Sequence, residues 1–210
     1  MNNSELRDCD APHHVRVNRR DVCYRSEIFT ICDDSIEFSS GDKAQRQYML
    51  HADAVGIVPL RSTSGNWADM ESVEILLIRQ YRHPLGRILW EIPAGLRDHE
   101  GEDALIAAQR ELAEETDMQA EHWYRSISYL SSPGCSTENL DIYIATGVAP
   151  MPASAESAHF EREDEEREII TQWWPINAVA EAIMRRELRS PSLVLGVLAA
   201  REHLRSGDLR

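Results

Sequence analysis

One predicted helix of this chain carries three carboxylates on a single face. Residues 95–118 read GLRDHEGEDALIAAQRELAEETDM, and the acidic run includes Glu111, Glu114 and Glu115. Residues i, i+3 and i+4 share one face of an α-helix, so these carboxylates lie close together. Like charges at this spacing destabilise an isolated helix by about 0.2–0.5 kcal/mol per pair. A hard divalent cation bound through oxygen ligands would compensate that repulsion.

The alternative is an ordinary solvated acidic face, because most glutamates are exposed. The neighbouring residues favour a binding site over a solvated face. Ala104, Leu105, Ala108 and Leu112 form the apolar stripe of the same helix, so the carboxylates project from a flank close to the core. Upstream, the sequence EIPAG at residues 91–95 ends a strand-like run in a turn. Strand, glycine turn and acidic helix together predict a compact site for metal and phosphate.

This segment resembles the Nudix box, G-x5-E-x7-R-E-U-x-E-E-x-G-U, in which U is aliphatic. The matching residues are Glu102, Arg110, Glu111, Leu112, Glu114, Glu115 and Met118. Two positions depart from the pattern: six residues rather than five separate Gly95 from Glu102, and Asp117 replaces the motif glycine. That glycine position often needs a positive φ, which Asp tolerates better than most residues, so we expect a modest stability cost. Neither departure removes a proposed metal ligand.

The flanking residues resemble the ADP-ribose pyrophosphatase branch of that family. The resemblance rests on residues 79–82 (RQYR), Gly86, residues 89–95 (LWEIPAG), Pro133 and the pair Thr137-Glu138. It implies an α/β fold, a Nudix-type α/β/α sandwich with a mixed sheet, preceded by a small N-terminal antiparallel β unit. In this branch the small unit often exchanges across a homodimer.

The chain is accordingly divided into a polar tail (1–20), a small β unit for possible dimerisation (21–52) and a Nudix hydrolase domain (53–210). Besides the box helix, helices are expected at 176–188 and 192–204. The predicted strands are 27–32, 35–38, 45–50, 54–60, 73–81, 126–130, 140–148 and 169–174.

The resemblance implies a metal centre on the acidic helix. Glu111 and Glu115 would bind Mg²⁺ directly, with Mn²⁺ as a possible substitute, and Glu114 would be shared between ions. The backbone carbonyl of Ala94 is a further expected ligand. Arg110 is expected to position the glutamates through salt bridges rather than to touch the substrate.

The reaction also needs a general base to accept a proton from the attacking water. In this branch a glutamate from an acidic loop has that role, and the segment FEREDEERE at residues 160–168 is the candidate. Glu165 is favoured, followed by Glu166 and then Glu163. The alternatives are that this acidic run is merely solvated, and that Glu114 is the base.

Substrate recognition is assigned to the remaining matched positions. Arg82 and Arg46 are candidates for binding phosphate or ribose, because a guanidinium offers a bidentate fork, although surface arginines often have no such role. Phe29 could stack on adenine or simply pack in a core. Glu138 could contact the terminal ribose or be an ordinary turn residue. Gly95 is expected to line the substrate site.

Charge and cysteine content limit the possible partners. The net charge of −14, from 22 basic and 36 acidic residues, argues against nonspecific nucleic-acid binding. Cys9, Cys23, Cys32 and Cys135 form no C-x-x-C pair, so we expect free thiols in a reducing cytosol. The longest apolar stretch, residues 193–200, is too short to span a membrane, and the N-terminus is unlike a signal peptide. We expect a cytoplasmic protein without membrane contacts.

The sequence therefore predicts an Mg²⁺-dependent hydrolase of nucleoside diphosphate derivatives, with ADP-ribose cleaved to AMP and ribose 5-phosphate. One alternative is a nucleotide-sugar diphosphatase that acts on another sugar. An alternative of a different class is a non-catalytic Nudix domain that senses ADP-ribose.

Overall fold

The N-terminal unit is an antiparallel sheet. A computed structural model of the chain describes residues 6–97, 101–152 and 167–209. Within them, the sheet contains three strands in the spatial order β1-β2-β3. These strands are β1 (Val15–Arg25), β2 (Phe29–Phe38) and β3 (Lys43–His51).

Strand β1 lies partly in the segment that was predicted to be a polar tail. The tail prediction for residues 1–20 is wrong at its end, because β1 begins at Val15. Strand β1 is attached to the sheet by polar contacts rather than by a buried row of apolar side chains. The buried carboxylate of Asp34 on β2 accepts two hydrogen bonds from Arg20 on β1, both 2.8 Å, and one from the Tyr48 hydroxyl on β3, 3.1 Å. The guanidinium of Arg20 lowers the pKa of Asp34.

A distant loop completes this unit. Ser132–Thr137 belongs to the same compact unit as the residues up to His51, although it was assigned to the domain at 53–210. The backbone N–H of Met49 donates to the carbonyl of Cys135 at 2.8 Å, and the N–H of Thr137 donates to the carbonyl of Met49 at 3.0 Å. The loop therefore pairs with β3.

The second unit contains the other described residues. Its α-helices are α1 (Ala104–Thr116), α2 (Ile176–Met184) and α3 (Pro191–Ser206). Its strands are β4 (Ala54–Ser62), β5 (Val73–Arg82), β6 (Arg87–Glu91), β7 (Ala94–Leu96), β8 (Met118–Gln119), β9 (His122–Leu130), β10 (Asn139–Thr146), β11 (Ala149–Pro150) and β12 (Ile170–Pro175).

The central sheet of this unit is mixed. Its main path has the order β12-β5-β4-β10-β9, with β6 paired to β5 and β7 paired to β4. The β4–β10 pair is parallel, and the other pairs are antiparallel. The short strands β8 and β11 form a separate pair.

Alternating side chains of β4 and β10 cover both faces of the sheet, as the period of two in a strand requires. One face packs against α1 through Val55, Ile57, Tyr143, Ala145, Ala107, Ala108 and Leu112. The opposite face packs against α2 and α3, and its buried residues include Val58, Leu60, Ile142, Ile144, Val179, Leu193 and Val197. The predicted α/β/α sandwich with a mixed sheet is therefore confirmed.

One predicted helix end and one predicted pair of strands are wrong. Helix α2 ends at Met184 rather than at residue 188, because Arg186 adopts a left-handed conformation with φ of 65°. The two short strands expected at 27–32 and 35–38 form the single strand β2.

All four cysteines are free thiols, as expected. Among the described residues, no helix combines the length and the apolar character needed to cross a membrane.

Candidate active site

Helix α1 is bounded by two aspartates. At its start, the carboxylate of Asp103 accepts a hydrogen bond from the N–H of Leu105 at 2.8 Å, which is a typical N-cap. At its end, Asp117 is left-handed with φ of 57°, and its N–H donates to the carbonyl of Ala113 at 2.9 Å. The positive φ expected at the motif's glycine position is therefore present.

We predict that Asp117→Gly stabilises the protein. A non-glycine residue in the left-handed region carries a backbone penalty that glycine avoids, here about 1 kcal/mol. For a chain of this size, the midpoint of thermal unfolding should rise by about 2–4 °C, measured by calorimetry. Arg186→Gly, at the other described non-glycine residue with a positive φ, should act in the same direction. An unchanged or lower midpoint for Asp117→Gly would contradict the backbone explanation.

Arg110 connects the glutamates of helix α1 with Glu102 and with strand β7. Its guanidinium donates to both carboxylate oxygens of Glu102 at 3.1 Å, to Glu111 at 2.7 Å and to Glu114 at 3.0 Å. A further hydrogen bond of 3.0 Å reaches the carbonyl of Leu96 on β7. Hydrogen bonding to Glu102, with the nearby charges of Glu111 and Glu114, raises the pKa of Arg110 above its ordinary value. The salt bridges expected for Arg110 are thus present, and they hold like charges together on one helix.

Gly95 leaves the space that the Glu111 carboxylate occupies. A Cβ atom at Gly95 would lie 2.1 Å from the carboxyl carbon of Glu111 and 2.2 Å from its Oε1. Glu111 is only 8% exposed, so this close approach of strand and side chain is buried. Only glycine allows strand β7 to pass this close to the helix carboxylate.

Glu115 is attached to the same strand from the next turn of the helix. Its Oε2 accepts a hydrogen bond of 2.9 Å from the backbone N–H of Ala94, and the residue is 6% exposed. Because the N–H of Ala94 points to Glu115, this contact fixes the peptide next to the proposed carbonyl ligand. Helix α1 and strand β7 are therefore joined to each other at the carboxylates.

The oxygen donors suit a hard divalent cation. Glu111, Glu114 and Glu115 supply carboxylate oxygens from one helix, two of them buried, and Gly95 provides the space that one carboxylate fills. In the part of the chain that the structure describes, no three acidic, histidine or cysteine side chains already converge closely enough to hold an ion. Arg110 and the Ala94 N–H instead occupy oxygens of these carboxylates.

Of the proposed catalytic bases, only Glu114 can be located. It lies on α1, and its carboxylate accepts from Arg110 at 3.0 Å. Glu163, Glu165 and Glu166 lie outside the described residues. The extra residue of the loop after Gly95 falls at 96–101, of which 98–100 also lie outside them.

A buried carboxylate that the sequence analysis did not single out holds Arg82. Glu91, at the end of β6, accepts hydrogen bonds from Arg82 at 3.3 and 2.7 Å and from Gln80 at 3.4 Å. Its signal in the sequence was its place in the EIPAG motif, three residues before Ala94. Burial, with the charge of Glu138 as the next cause, raises the pKa of Tyr129 to about 12. Arg82 and Glu138 both belong to the second unit.

The other two proposed substrate residues belong to the N-terminal unit. Phe29 begins β2 and packs against Tyr24, with ring centroids 6.0 Å apart. Arg46 is exposed on β3 and donates to the carbonyl of Gln45 at 2.8 Å. Neither side chain is fully buried, so both offer surface for binding.

Comparison with known proteins agrees with this architecture. A family profile described as NUDIX domain matches residues 50–193. The ADP-ribose pyrophosphatase of Mycobacterium tuberculosis is 33% identical over 189 residues, which cover 90% of this chain and 84% of that protein. The methanol dehydrogenase activator of Bacillus methanolicus is 32% identical over 122 residues, covering 58% of this chain and 60% of that protein. A crystal structure described as an ADP compounds hydrolase superposes with a TM-score of 0.74 at 20% identity, covering 95% of this chain and 98% of that one.

Proposed function

The chain belongs to the NUDIX domain family and is a Nudix pyrophosphohydrolase, and on that premise we propose that it converts ADP-ribose to AMP and ribose 5-phosphate. The observation that carries this proposal is the set of carboxylates Glu111, Glu114 and Glu115, two of them buried and all on one helix face. Such a set is costly to keep in a protein unless positive charge compensates it. Arg110 pairs with Glu111 and Glu114, and a divalent cation would supply the remaining positive charge. The similarity to an ADP-ribose pyrophosphatase over most of both chains supports the choice of substrate.

The proposed cofactor is Mg²⁺, with Mn²⁺ as a substitute. Glu111, Glu115 and the carbonyl of Ala94 are the proposed ligands, and Glu114 is shared. A cation held there supplies charge neutralisation at the phosphate oxygens and lowers the pKa of a bound water.

The residues of the chain have three further tasks in this proposal. Arg110 keeps the carboxylates in place through its bonds to Glu102, Glu111 and Glu114. Gly95 lets strand β7 lie close to the Glu111 carboxylate and would line the substrate site. Arg82, whose guanidinium is oriented by Glu91, would bind a phosphate or ribose oxygen.

Hydrolysis requires water to add to one phosphorus while the bridging P–O bond breaks. The proton of the water passes to a carboxylate, for which Glu165 and then Glu166 are proposed, with Glu163 third and Glu114 as the alternative. Phe29 would stack on adenine, Arg46 would bind phosphate or ribose, and Glu138 would contact the terminal ribose.

A homodimer is proposed as the working form. Strand β1 exposes the apolar side chains Val17, Val22 and Tyr24, each about half accessible, which suits association through the N-terminal sheet. A monomer mass in light scattering would exclude this part of the proposal.

A substrate panel tests the function. ADP-ribose, ADP-glucose, GDP-mannose, UDP-glucose and NADH are assayed with Mg²⁺ and with Mn²⁺, and the products are separated chromatographically. We expect the highest kcat/KM for ADP-ribose, with AMP and ribose 5-phosphate in equal amounts. A preference for another sugar nucleotide would favour the nucleotide-sugar diphosphatase. Binding of ADP-ribose without turnover in either metal would identify a sensor instead.

A further inference from the structure

A cavity lies beside the pair formed by Arg82 and Glu91. Its volume is about 750 Å³. Strand β6, the turn before it and the start of α3 provide the walls. Three arginines and several apolar side chains line it, among them Arg82, Arg87, Arg189, Leu85, Leu89 and Pro191.

The arginines of this cavity carry more positive charge than the carboxylate beside them can balance. Arg82 is paired with Glu91 through two hydrogen bonds. Arg87 and Arg189 are exposed, and no carboxylate of the described residues pairs with either of them. The surplus is notable because the chain as a whole has a net charge of −14.

Two of the arginines face each other across a hairpin. Arg82 on β5 is the direct partner of Arg87 on β6 in the antiparallel register. Like charges at directly opposed positions destabilise a β-sheet pair. An anion between Arg87 and its neighbours would remove that cost. The first turn of α3 opens on the same cavity at Pro191, and its dipole adds to the positive potential.

The remaining walls are apolar. Leu85, Leu89 and Pro191 lie among the arginines, so the cavity combines an anion site with a surface for a sugar or a base. This combination of an apolar wall with a few charged groups is usual for a small-molecule site.

The cavity is close to the proposed metal centre. Glu91 lines the cavity, and Ala94, a proposed metal ligand, is only three residues further along the chain. Three residues span no more than about 11 Å, even when fully extended. If the diphosphate of the substrate lies at Ala94, the adjoining nucleoside or sugar can reach the arginines.

We propose that Arg87 and Arg189 form a subsite for an additional phosphate on the substrate, beyond the diphosphate that is cleaved. The substrate class is then a nucleoside diphosphate derivative that also carries a phosphate monoester. This inference rests on the proposed function, because it places the diphosphate at the acidic helix. Each guanidinium offers a bidentate fork to such a phosphate.

Binding and turnover are measured separately to test this subsite. The ligands are ADP-ribose, ADP-ribose 2′-phosphate and ADP-ribose 1″-phosphate, which place the extra phosphate on the adenosine side or on the terminal ribose. Calorimetry gives Kd with EDTA present, and steady-state assays with Mg²⁺ give KM and kcat. The proteins are the wild type, Arg87→Gln/Arg189→Gln, and Arg205→Gln. Arg205 is an exposed arginine in the last turn of α3 that pairs with Glu202.

We expect one of the phosphorylated ligands to bind the wild type about tenfold more tightly than ADP-ribose does. The double variant should lose this preference, and Arg205→Gln should keep it. Equal Kd values for all three ligands, or a preference that survives in the double variant, would overturn the subsite. Absence of ADP-ribose hydrolysis by the wild type would instead count against the proposed function, whatever the Kd values are.

Discussion

Glu115→Gln should lower kcat for ADP-ribose hydrolysis by about 10³-fold, which corresponds to about 4 kcal/mol of transition-state stabilisation. The carboxylate of Glu115 is buried and is a proposed ligand of the cation. Glutamine has the same shape, and its oxygen can still accept the hydrogen bond from the N–H of Ala94. The substitution thus removes a negative charge while keeping the contact between α1 and β7. The measurement is kcat at saturating ADP-ribose, with Mg²⁺ and Mn²⁺ titrated separately.

Glu202→Gln is the matched control for this variant. Glu202 lies on α3, is largely exposed and pairs with Arg205, so the same chemical change occurs outside the acidic site. Its kcat should equal that of the wild type, and the thermal midpoints of both variants should remain close to the wild-type value. A Glu115→Gln enzyme with kcat within tenfold of wild type at saturating metal would remove Glu115 from the metal site.

The sequence predicted the second unit better than the first, and the reason is physical. Strands β4 and β10 are apolar runs between two helical layers, so hydrophobic pattern alone identifies them. Strand β1 has a polar sequence and is held by Arg20, which binds Asp34 on another strand. No local pattern indicates such a cross-strand ion pair, and the strand was therefore taken for a tail.

In the candidate site, too, features set by local sequence spacing were predicted, whereas contacts between different strands were not. The spacing of Glu111, Glu114 and Glu115 follows from helical geometry, and the structure places all three on α1. The role of Glu91 depends on its pairing with Arg82 across the β5–β6 hairpin. That contact depends on the register of β5 and β6. The sequence indicated a strand-like run ending at residue 91 but did not specify how it pairs with β5.

Arg110 explains how the acidic helix is stable before any cation binds. Its guanidinium contacts carboxylates of Glu102, Glu111 and Glu114, so part of the repulsion expected from the sequence is compensated within the protein. The same contacts hold the carboxylates on one face of α1, next to β7. A proposed cation would have to replace some of these hydrogen bonds, because they occupy carboxylate oxygens.

Gly95→Ala should lower kcat by about 10²-fold, the cost that a displacement of about 1 Å has in a preorganised site. A Cβ atom at residue 95 would lie 2.1 Å from the carboxyl carbon of Glu111, well inside van der Waals contact. The Glu111 carboxylate is the end of a side chain, so it can move, but it then loses its 2.7 Å bond to Arg110. The fold should persist while the proposed metal site is distorted.

The control is Gly134→Ala, where a Cβ atom would meet nothing within 4 Å. This variant has the same change in composition and should keep the wild-type kcat. For Gly95→Ala, kcat should fall more than KM changes, and the apparent affinity for Mg²⁺ should weaken, because the displaced group is a proposed metal ligand and not a substrate contact. If Gly95→Ala keeps its kcat and its Mg²⁺ dependence, catalysis does not require the Glu111 carboxylate in its present position beside β7. The acidic helix would then have to act through Glu114 and Glu115 alone.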